Sequence, residues 1–295
     1  MGLGMTLVLG VVAGATILLG LPIGRLKRPA PTLRALLNAI AVGVLLFLVW
    51  DVLSAAWEPI DTALGSLHDG EGGLGTAVGY GLLFVAGLSV GMLSLVGYER
   101  WMAGVVGRAR STPQPTNLGP GAAHAAELTR PAGLAAWTPA RRLALLIAVG
   151  IGLHNFAEGL AIGQSAATGE IALATLLVIG FALHNATEGF GITAPLAGDT
   201  GADGAPRRPS WPFLIGLGLI GGGPTFLGTL IGHGFTSEPL SVVFLTLAAG
   251  SIIYVITQLL GVAAKAKRSD LLAYGLLIGL VAGFLTDAIV SAAGA

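Results

Sequence analysis

The chain has 295 residues, of which 54% are hydrophobic and only 10% are charged, and its formal net charge at pH 7 is zero. Because a soluble domain carries about 25% charged residues, this composition excludes an ordinary water-soluble globule and predicts an integral membrane protein surrounded by lipid. The absence of cysteine excludes disulfides and thiolate metal ligands, and the lack of a basic cluster argues against a nucleic-acid partner.

Eight apolar runs of about 20 residues follow one another, and each is long enough to cross a hydrocarbon core of about 30 Å. They predict transmembrane helices at 3–23, 35–54, 74–97, 143–166, 171–196, 211–232, 239–263 and 271–292. The segment 98–141 is rich in Pro, Gly, Ala, Ser and Thr, which is typical of a flexible loop. The pattern therefore predicts one transmembrane domain over residues 1–295.

The lysines and arginines indicate how the predicted spans are oriented. All 15 lie on odd-numbered connections, counted from the N-terminus: Arg25, Lys27, Arg28, Arg34, Arg100, Arg108, Arg110, Arg130, Arg141, Arg142, Arg207, Arg208, Lys265, Lys267 and Arg268. The even-numbered connections carry acidic residues instead: Glu58, Asp61, Asp69, Glu71, Glu170 and Glu238. Because Lys and Arg favour cytoplasmic connections, this alternation predicts eight spans in the cell membrane with both termini outside the cytoplasm.

A polar motif occurs twice within the apolar spans. Residues 154–159 read HNFAEG and residues 184–189 read HNATEG, so both follow the pattern H-N-x-x-E-G. His and Glu four residues apart share one helix face, and two consecutive spans are antiparallel neighbours. The motifs are therefore expected to meet near mid-depth, where ionisable residues cost about 2.5–3.5 kcal/mol each and are functional candidates. The candidate ligands are His154, Asn155, Glu158, His184, Asn185 and Glu188.

Imidazole and carboxylate ligands together suit zinc, ferrous iron and similar divalent ions. Two carboxylates would also offset the charge of one such ion. The alternative interpretation is a pair of buried His–Glu hydrogen bonds that merely tie two helices together. Two matching motifs at matched depth favour the metal site, because apolar packing would join the helices at a lower desolvation cost.

At these residues the sequence resembles the prokaryotic type of the ZIP (Zrt/Irt-like) family of metal transporters, whose fourth and fifth spans carry H-N-x-x-E-G-type motifs. The likeness covers the whole chain: eight spans, outer termini, and a variable cytoplasmic loop between spans three and four. The resemblance implies a 3+2+3 helix bundle with a mobile central pair and flanking triplets related by a pseudo-two-fold axis. It also implies a homodimer that imports metal into the cytoplasm. Carried over by position, it implies a primary metal position of His154, Glu158, His184 and Glu188, and a second position that shares the glutamates and adds Asn155 and Asn185.

Four residues depart from the family pattern. Ala157 and Thr187 stand where the family often has Pro before the motif Glu. Thr225 takes the place of a Glu in span six, and Gln258 takes the place of an acidic residue in span seven. The last two departures remove negative charge, so one ion is predicted to bind tightly and a second weakly or not at all. They also leave open whether zinc, iron, manganese or cadmium is the substrate.

Three further polar residues are candidates for an ion pathway. Asp51, near the end of span two, and Asp287, in span eight, both lie toward the predicted outer side, where they could guide ions inward. The alternative for each is a helix-end carboxylate that is simply solvated. Gln258 is the candidate within span seven.

The function predicted from these features is transport of divalent transition-metal ions, with zinc as the first choice, and not an enzymatic reaction. An intramembrane metalloenzyme is the alternative, but the H-E-x-x-H motif of zincins is absent, and a di-iron bundle draws its ligands from four helices. A metal sensor would normally carry a folded output domain, and no segment indicates one. Uptake is expected to weaken at low pH, because imidazole must be neutral to bind metal.

Overall fold

The computed structural model describes residues 1–26, 31–111, 133–167, 169, 171–201, 204–234 and 237–292. These residues form eight long α-helices: α1 Leu3–Ala15, α2 Pro31–His68, α3 Leu74–Ser111, α4 Pro139–Ala167, α5 Ile171–Thr193, α6 Trp211–Gly234, α7 Glu238–Lys265 and α8 Ser269–Ala292. Short 3₁₀ turns continue α1 as far as Arg25 and α5 as far as Gly198. No strand occurs among the described residues, which confirms the predicted all-α class.

Seven helices in the described part of the chain are long and apolar enough to cross a membrane. Many of their large apolar side chains are exposed, for example Leu82 and Leu93 on α3 and Leu277 and Leu285 on α8, as expected of surfaces that face lipid. The protein is therefore a multi-pass membrane protein by length and composition. The remaining predicted span corresponds to α5, a helix of 23 residues, which is not one of the seven. Eight crossings thus stay a prediction.

Three predicted boundaries are wrong, because polar residues end a hydropathic run without ending a helix. The helix α3 continues through 98–111, where Met102 and Val106 are buried one turn apart. The flexible segment predicted at 98–141 is therefore too long at both ends, since α4 begins at Pro139; residues 112–132 lie outside the described part. Similarly, α2 runs through Glu58 and Asp61, which were expected in a connection.

The two ends of the helices define two faces of the molecule. The N-terminal amino group donates to the carbonyl of Ala166 at the end of α4 (3.0 Å), and we call this side the terminal face. On the opposite side, Arg25 donates to the carbonyl of Pro209 just before α6 (2.6 Å). We call this side the loop face, because α3 ends and α4 begins there. The sequence predicts that the loop face is cytoplasmic, and this orientation stays a prediction.

The most extensive helix contacts join three parallel pairs, α4 with α6, α2 with α8 and α3 with α7. Glycines allow these close approaches. A Cβ atom at Gly43 of α2 would collide with the backbone of α8 at Leu276, and one at Gly91 of α3 with the backbone of α7 at Leu247. Small residues let helix backbones approach in this way inside a membrane. Much of the high glycine content of the chain, 47 residues, is therefore compatible with rigid packing.

The helices form two groups. One group consists of α1, α4, α5 and α6, and the other of α2, α3, α7 and α8; the groups meet mainly where α4 contacts α7 and where α2 contacts α5. The two polar motifs lie on α4 and α5, both in the first group. The second group supplies the wall against which the motifs pack.

The largest hydrophobic core of the described residues lies on the loop-face side of both motifs. Its members include Ile151 of α4, Ile192 of α5, Leu217 of α6 and Val255 of α7, each almost completely buried. Close packing of this kind leaves little space for water. The core therefore separates the polar motifs from the loop face.

Candidate metal centre

The two motifs come together as the sequence predicts. Nε2 of His154 lies 2.9 Å from Oε1 of Glu158, one turn along α4. Nε2 of His184 on α5 lies 2.5 Å from the same oxygen. Three potential ligand atoms, one from each residue, therefore converge within 4.8 Å of one another.

These side chains are withdrawn from the surface. The exposed fraction is 1% for the side chain of His154, 3% for Glu158 and 0% for Glu188. The side chain of His184 is the most accessible of the four, with 11% exposed. Burial at this level makes an unneutralised carboxylate costly, so either a proton or a bound cation would stabilise the site.

Several ligand atoms in the site have no hydrogen-bond partner among the described residues. Both ring nitrogens of His154 and both carboxylate oxygens of Glu188 are buried in this condition, as is Oε2 of Glu158. The contact between His154 and Glu158 is short, but its geometry is not that of a hydrogen bond. Buried polar atoms in proteins are usually paired. A concentration of unpaired nitrogen and oxygen atoms, all of a type that can bind a cation, therefore requires an explanation.

The spacing of the atoms is slightly too small for a bound ion. In a tetrahedral zinc site with ligand distances of about 2.0–2.1 Å, neighbouring ligand atoms lie about 3.3 Å apart. The contacts of Glu158 with His154 and His184 measure 2.9 and 2.5 Å. If side-chain rotation increased these distances by less than about 1 Å, the cluster would fit such an ion.

Glu188 stands slightly apart from the other three residues. Its Oε1 lies 4.0 Å from Nε2 of His154. This position brings a second carboxylate to the edge of the cluster, as predicted, without closing a contact. Glu188 is therefore placed to become a fourth ligand after a small movement.

The two motif asparagines have a role that the sequence did not reveal. Nδ2 of Asn155 donates to the carbonyl of Gly221 on α6 (2.9 Å), and Nδ2 of Asn185 donates to the carbonyl of Ala13 on α1 (3.1 Å). Each amide thus fixes its motif to a neighbouring helix. The Oδ1 atoms of both asparagines remain buried without a partner, so they stay available as oxygen ligands.

The predicted pathway residues Asp51 and Asp287 lie beside the cluster. Together with His184 and Phe181 they line a cavity of about 110 Å³ between α2, α5 and α8. The cavity lies on the terminal-face side of the site, because α2 and α8 both run toward that face. His184 is thus the ligand that the cavity reaches, which agrees with its greater exposure.

The structure places the third predicted pathway residue, Gln258, away from the cluster. Gln258 lies about two turns of α7 nearer the loop face than Ser251, whose hydroxyl donates to the carbonyl of Gly150 on α4. It lines a different cavity, of about 490 Å³, with Glu99 and Lys265, so the structure does not bring it to the cluster.

Thr225 is fully buried on α6 and its Oγ1 has no partner among the described residues. This oxygen faces α1, where a Cβ placed on Gly14 would lie 3.1 Å from it. The residue at this position therefore offers a neutral hydroxyl where the family pattern has a carboxylate.

Comparison with known proteins does not assign the chain to a family. No protein-family model matches the sequence, and no curated protein matches it. The resemblance to the ZIP family therefore depends on the duplicated motif and on the order of the spans. A function must be argued from the chemistry of the site.

Proposed function

We propose that this protein transports divalent transition-metal ions, with zinc as the preferred substrate, across the cell membrane through the site formed by His154, Glu158, His184 and Glu188. The observation that carries the proposal is the convergence of two imidazoles on one buried carboxylate, with a second, unpaired carboxylate next to it. His154 and Glu158 lie within α4, one of the helices long and apolar enough to cross a membrane, and His184 and Glu188 lie on its neighbour α5. Imidazole and carboxylate are suitable ligands for zinc and similar ions.

The alternative of a purely structural hydrogen-bonded tie fits the geometry less well. The His154–Glu158 contact lies within α4 and cannot join two helices. The contact between His184 and Glu158 crosses from α5 to α4, and the approach of Glu188 to His154 is longer, at 4.0 Å. A structural tie would also leave no reason for Glu188 to be buried without a partner, since apolar packing would replace it at a lower cost.

The helix packing supports the proposed ZIP-like 3+2+3 arrangement. A pseudo-two-fold axis would exchange α1 with α6, α2 with α7, α3 with α8 and α4 with α5. Under this exchange, the contact of α2 with α8 corresponds to the contact of α7 with α3. The contact of α4 with α6 likewise becomes that of α5 with α1. This correspondence is what a pseudo-two-fold relation between the outer triplets would produce. Eight crossings, membership of the ZIP family and a homodimer belong to the same proposal.

The mechanism follows from the cost of placing an ion in hydrocarbon. A divalent ion cannot cross the apolar core without ligands, so the protein must offer them at mid-depth and expose them to each side in turn. In the described conformation, the cavity at Asp51 and Asp287 adjoins His184 on the terminal-face side of the site, and the hydrophobic core lies between the site and the loop face. With the predicted topology, this arrangement accepts an ion from outside for import into the cytoplasm.

The same site determines how many ions are proposed to bind. Glu158 and Glu188 together can neutralise one divalent ion. A second ion would have to rely on the amide oxygens of Asn155 and Asn185, without the carboxylates that Thr225 and Gln258 replace. One ion per chain is therefore the proposed occupancy, and a metal analysis that finds two tightly bound ions would contradict it.

The proposal is tested by zinc uptake into proteoliposomes, with iron, manganese and cadmium as competitors. Wild type is expected to take up zinc, whereas Glu158→Ala and His184→Ala are expected to insert normally and fail to transport. His68→Ala is the matched control, because His68 is exposed at the end of α2. If wild type moves none of these ions, the cluster is a structural, sensory or enzymatic metal site and the transport proposal is wrong.

A further inference from the structure

A second, smaller cavity lies on the loop-face side of the metal site, between α2 and α5. It has a volume of about 10 Å³ and is lined by Arg34, Leu37 and Asn38 of α2, with Phe190 and Thr193 of α5. We call it the loop-face cavity. A space of this size holds about one water molecule or one small ion.

The loop-face cavity is lined by two residues that each have a buried polar atom without a hydrogen-bond partner among the described residues. Asn38 is 2% exposed; its Nδ2 donates to the carbonyl of Leu259 on α7 (3.1 Å), but its Oδ1 is buried without a hydrogen bond. The hydrogen bond from Nδ2 to Leu259 fixes the orientation of the amide, and it therefore also fixes the position of Oδ1. Nε of Arg34 is also buried without a partner. An oxygen ligand and a positive charge therefore stand together in one closed space.

The position of this cavity relates it to the metal site. Phe190 and Thr193 follow Glu188 on α5 and lie about one turn nearer the loop face. On α2, Asp51 and Asn38 are separated by about 20 Å along the helix axis. The cavity at Asp51 and the loop-face cavity therefore lie along the same α2–α5 contact, on opposite sides of the motif.

The α2–α5 contact between the two cavities is apolar. Leu45 of α2 is 1% exposed, and a Cβ placed on Gly191 of α5 would lie at van der Waals distance from Ala41 of α2. An ion that leaves Glu188 toward the loop face must pass along this contact or cross the hydrophobic core. The first polar groups it would meet along the contact are those of the loop-face cavity.

We propose that Asn38 and Arg34 form the loop-face gate of the ion route, which rests on the transport function proposed above. Asn38 Oδ1 is the first oxygen that accepts the ion after it leaves Glu188, since carbonyl-type oxygens bind divalent cations. The guanidinium of Arg34 keeps the route closed, because a fixed positive charge in a low-dielectric passage repels a divalent cation strongly. The ion passes when the α2–α5 contact opens and Arg34 moves toward the loop face.

The gate is tested by zinc flux through variants with an intact metal site. Asn38→Leu is expected to lower the uptake rate about tenfold, the effect of losing one buried polar contact, while zinc affinity in detergent stays unchanged. Arg34→Gln is expected to raise the rate at which preloaded vesicles lose zinc. Arg100→Gln, an exposed arginine of α3 near the same face, is the matched control and should behave as wild type. Normal flux in both gate variants would overturn the proposal.

A second measurement covers the possibility that Asn38→Leu does not fold. The chain contains no cysteine, so Asn38→Cys introduces a single thiol. A membrane-impermeant thiol reagent is expected to label it from the loop face only, and faster during zinc transport than without zinc. A thiol that never reacts, or reacts from the terminal face, would show that the cavity holds only a structural water. Failure of wild type to transport zinc would instead contradict the proposed function itself.

Discussion

The two copies of the H-N-x-x-E-G motif have similar sequences but unlike carboxylates. In the first copy, Glu158 is contacted by the imidazoles of both copies. In the second copy, Glu188 has no hydrogen-bond partner and its nearest imidazole atom, on His154, is 4.0 Å away. The asparagines, in contrast, behave alike, since each donates to a carbonyl of a neighbouring helix.

The difference shows how a duplicated motif produces an asymmetric site. The backbone environment is matched, because Gly159 packs against α6 and Gly189 packs against α1. The side chains are not matched, because both imidazoles contact the same oxygen, Oε1 of Glu158, and neither contacts Glu188 as closely. One carboxylate therefore holds the imidazoles in place, and the other remains available to the ion. The predictions below test this division of roles.

The largest expected effect separates the two glutamates. Glu158→Gln should lower zinc affinity by about 100-fold or more, in line with the loss of about 3–5 kcal/mol when one partner of a buried pair is removed. Glu188→Gln, which removes only the longer pairing with His154, should lower it by about tenfold. Calorimetric titration of both purified variants with zinc measures the difference, and equal losses would contradict the asymmetry.

The next effect concerns the imidazoles, one from each copy. A protonated imidazole cannot bind zinc, so each ligand histidine that releases a proton on binding makes zinc affinity fall about tenfold per pH unit under acid conditions. With two imidazole ligands the dependence for wild type is the product of two such effects, about 100-fold per pH unit. His184→Gln should bind more weakly but show only half this slope on a logarithmic scale. Identical slopes would mean that only one imidazole binds the ion.

A smaller effect tests the matched backbone of the two copies. A Cβ atom at Gly159 would collide with the carbonyl of Thr225, and one at Gly189 with the carbonyl of Ile17. Gly159→Ala and Gly189→Ala should each lower the free energy of unfolding by about 1–3 kcal/mol. Gly223→Ala is the control, because nothing lies within 4 Å of a Cβ placed there. Thermal unfolding in detergent measures all three, and a strong loss in only one motif variant would break the symmetry.

The smallest effect concerns the asparagine anchors. Asn155→Ala and Asn185→Ala each remove one hydrogen bond between helices, which is worth about 1 kcal/mol in a membrane. We expect similar losses of stability in both variants when no metal is present. Ser54→Ala should change little, since the hydroxyl of Ser54 bonds only within its own helix and is exposed. Unfolding of the metal-free proteins by denaturant provides the comparison.

Much of the site could be predicted because it depends on spacing along a helix. The contact of His154 with Glu158 follows from residues four apart in α4, and the pairing of α4 with α5 follows from the short connection between them. The anchoring of Asn155 on Gly221 could not be predicted, since it joins positions far apart in the chain. The exclusion of Gln258 depends on where α7 crosses α4, which hydropathy does not record.

The sequence by itself determined the all-α class, the apolar lengths of the helices and the two ligand faces, because each depends on local composition or on the 3.6-residue repeat. Only the tertiary structure decided that Glu158 receives both imidazoles, that Asp51 and Asp287 share a cavity with His184, and that a hydrophobic core lies between the site and the loop face. These features depend on the depth at which helices cross and on how closely they approach. Both are set by the packing of side chains and glycines from several helices at once.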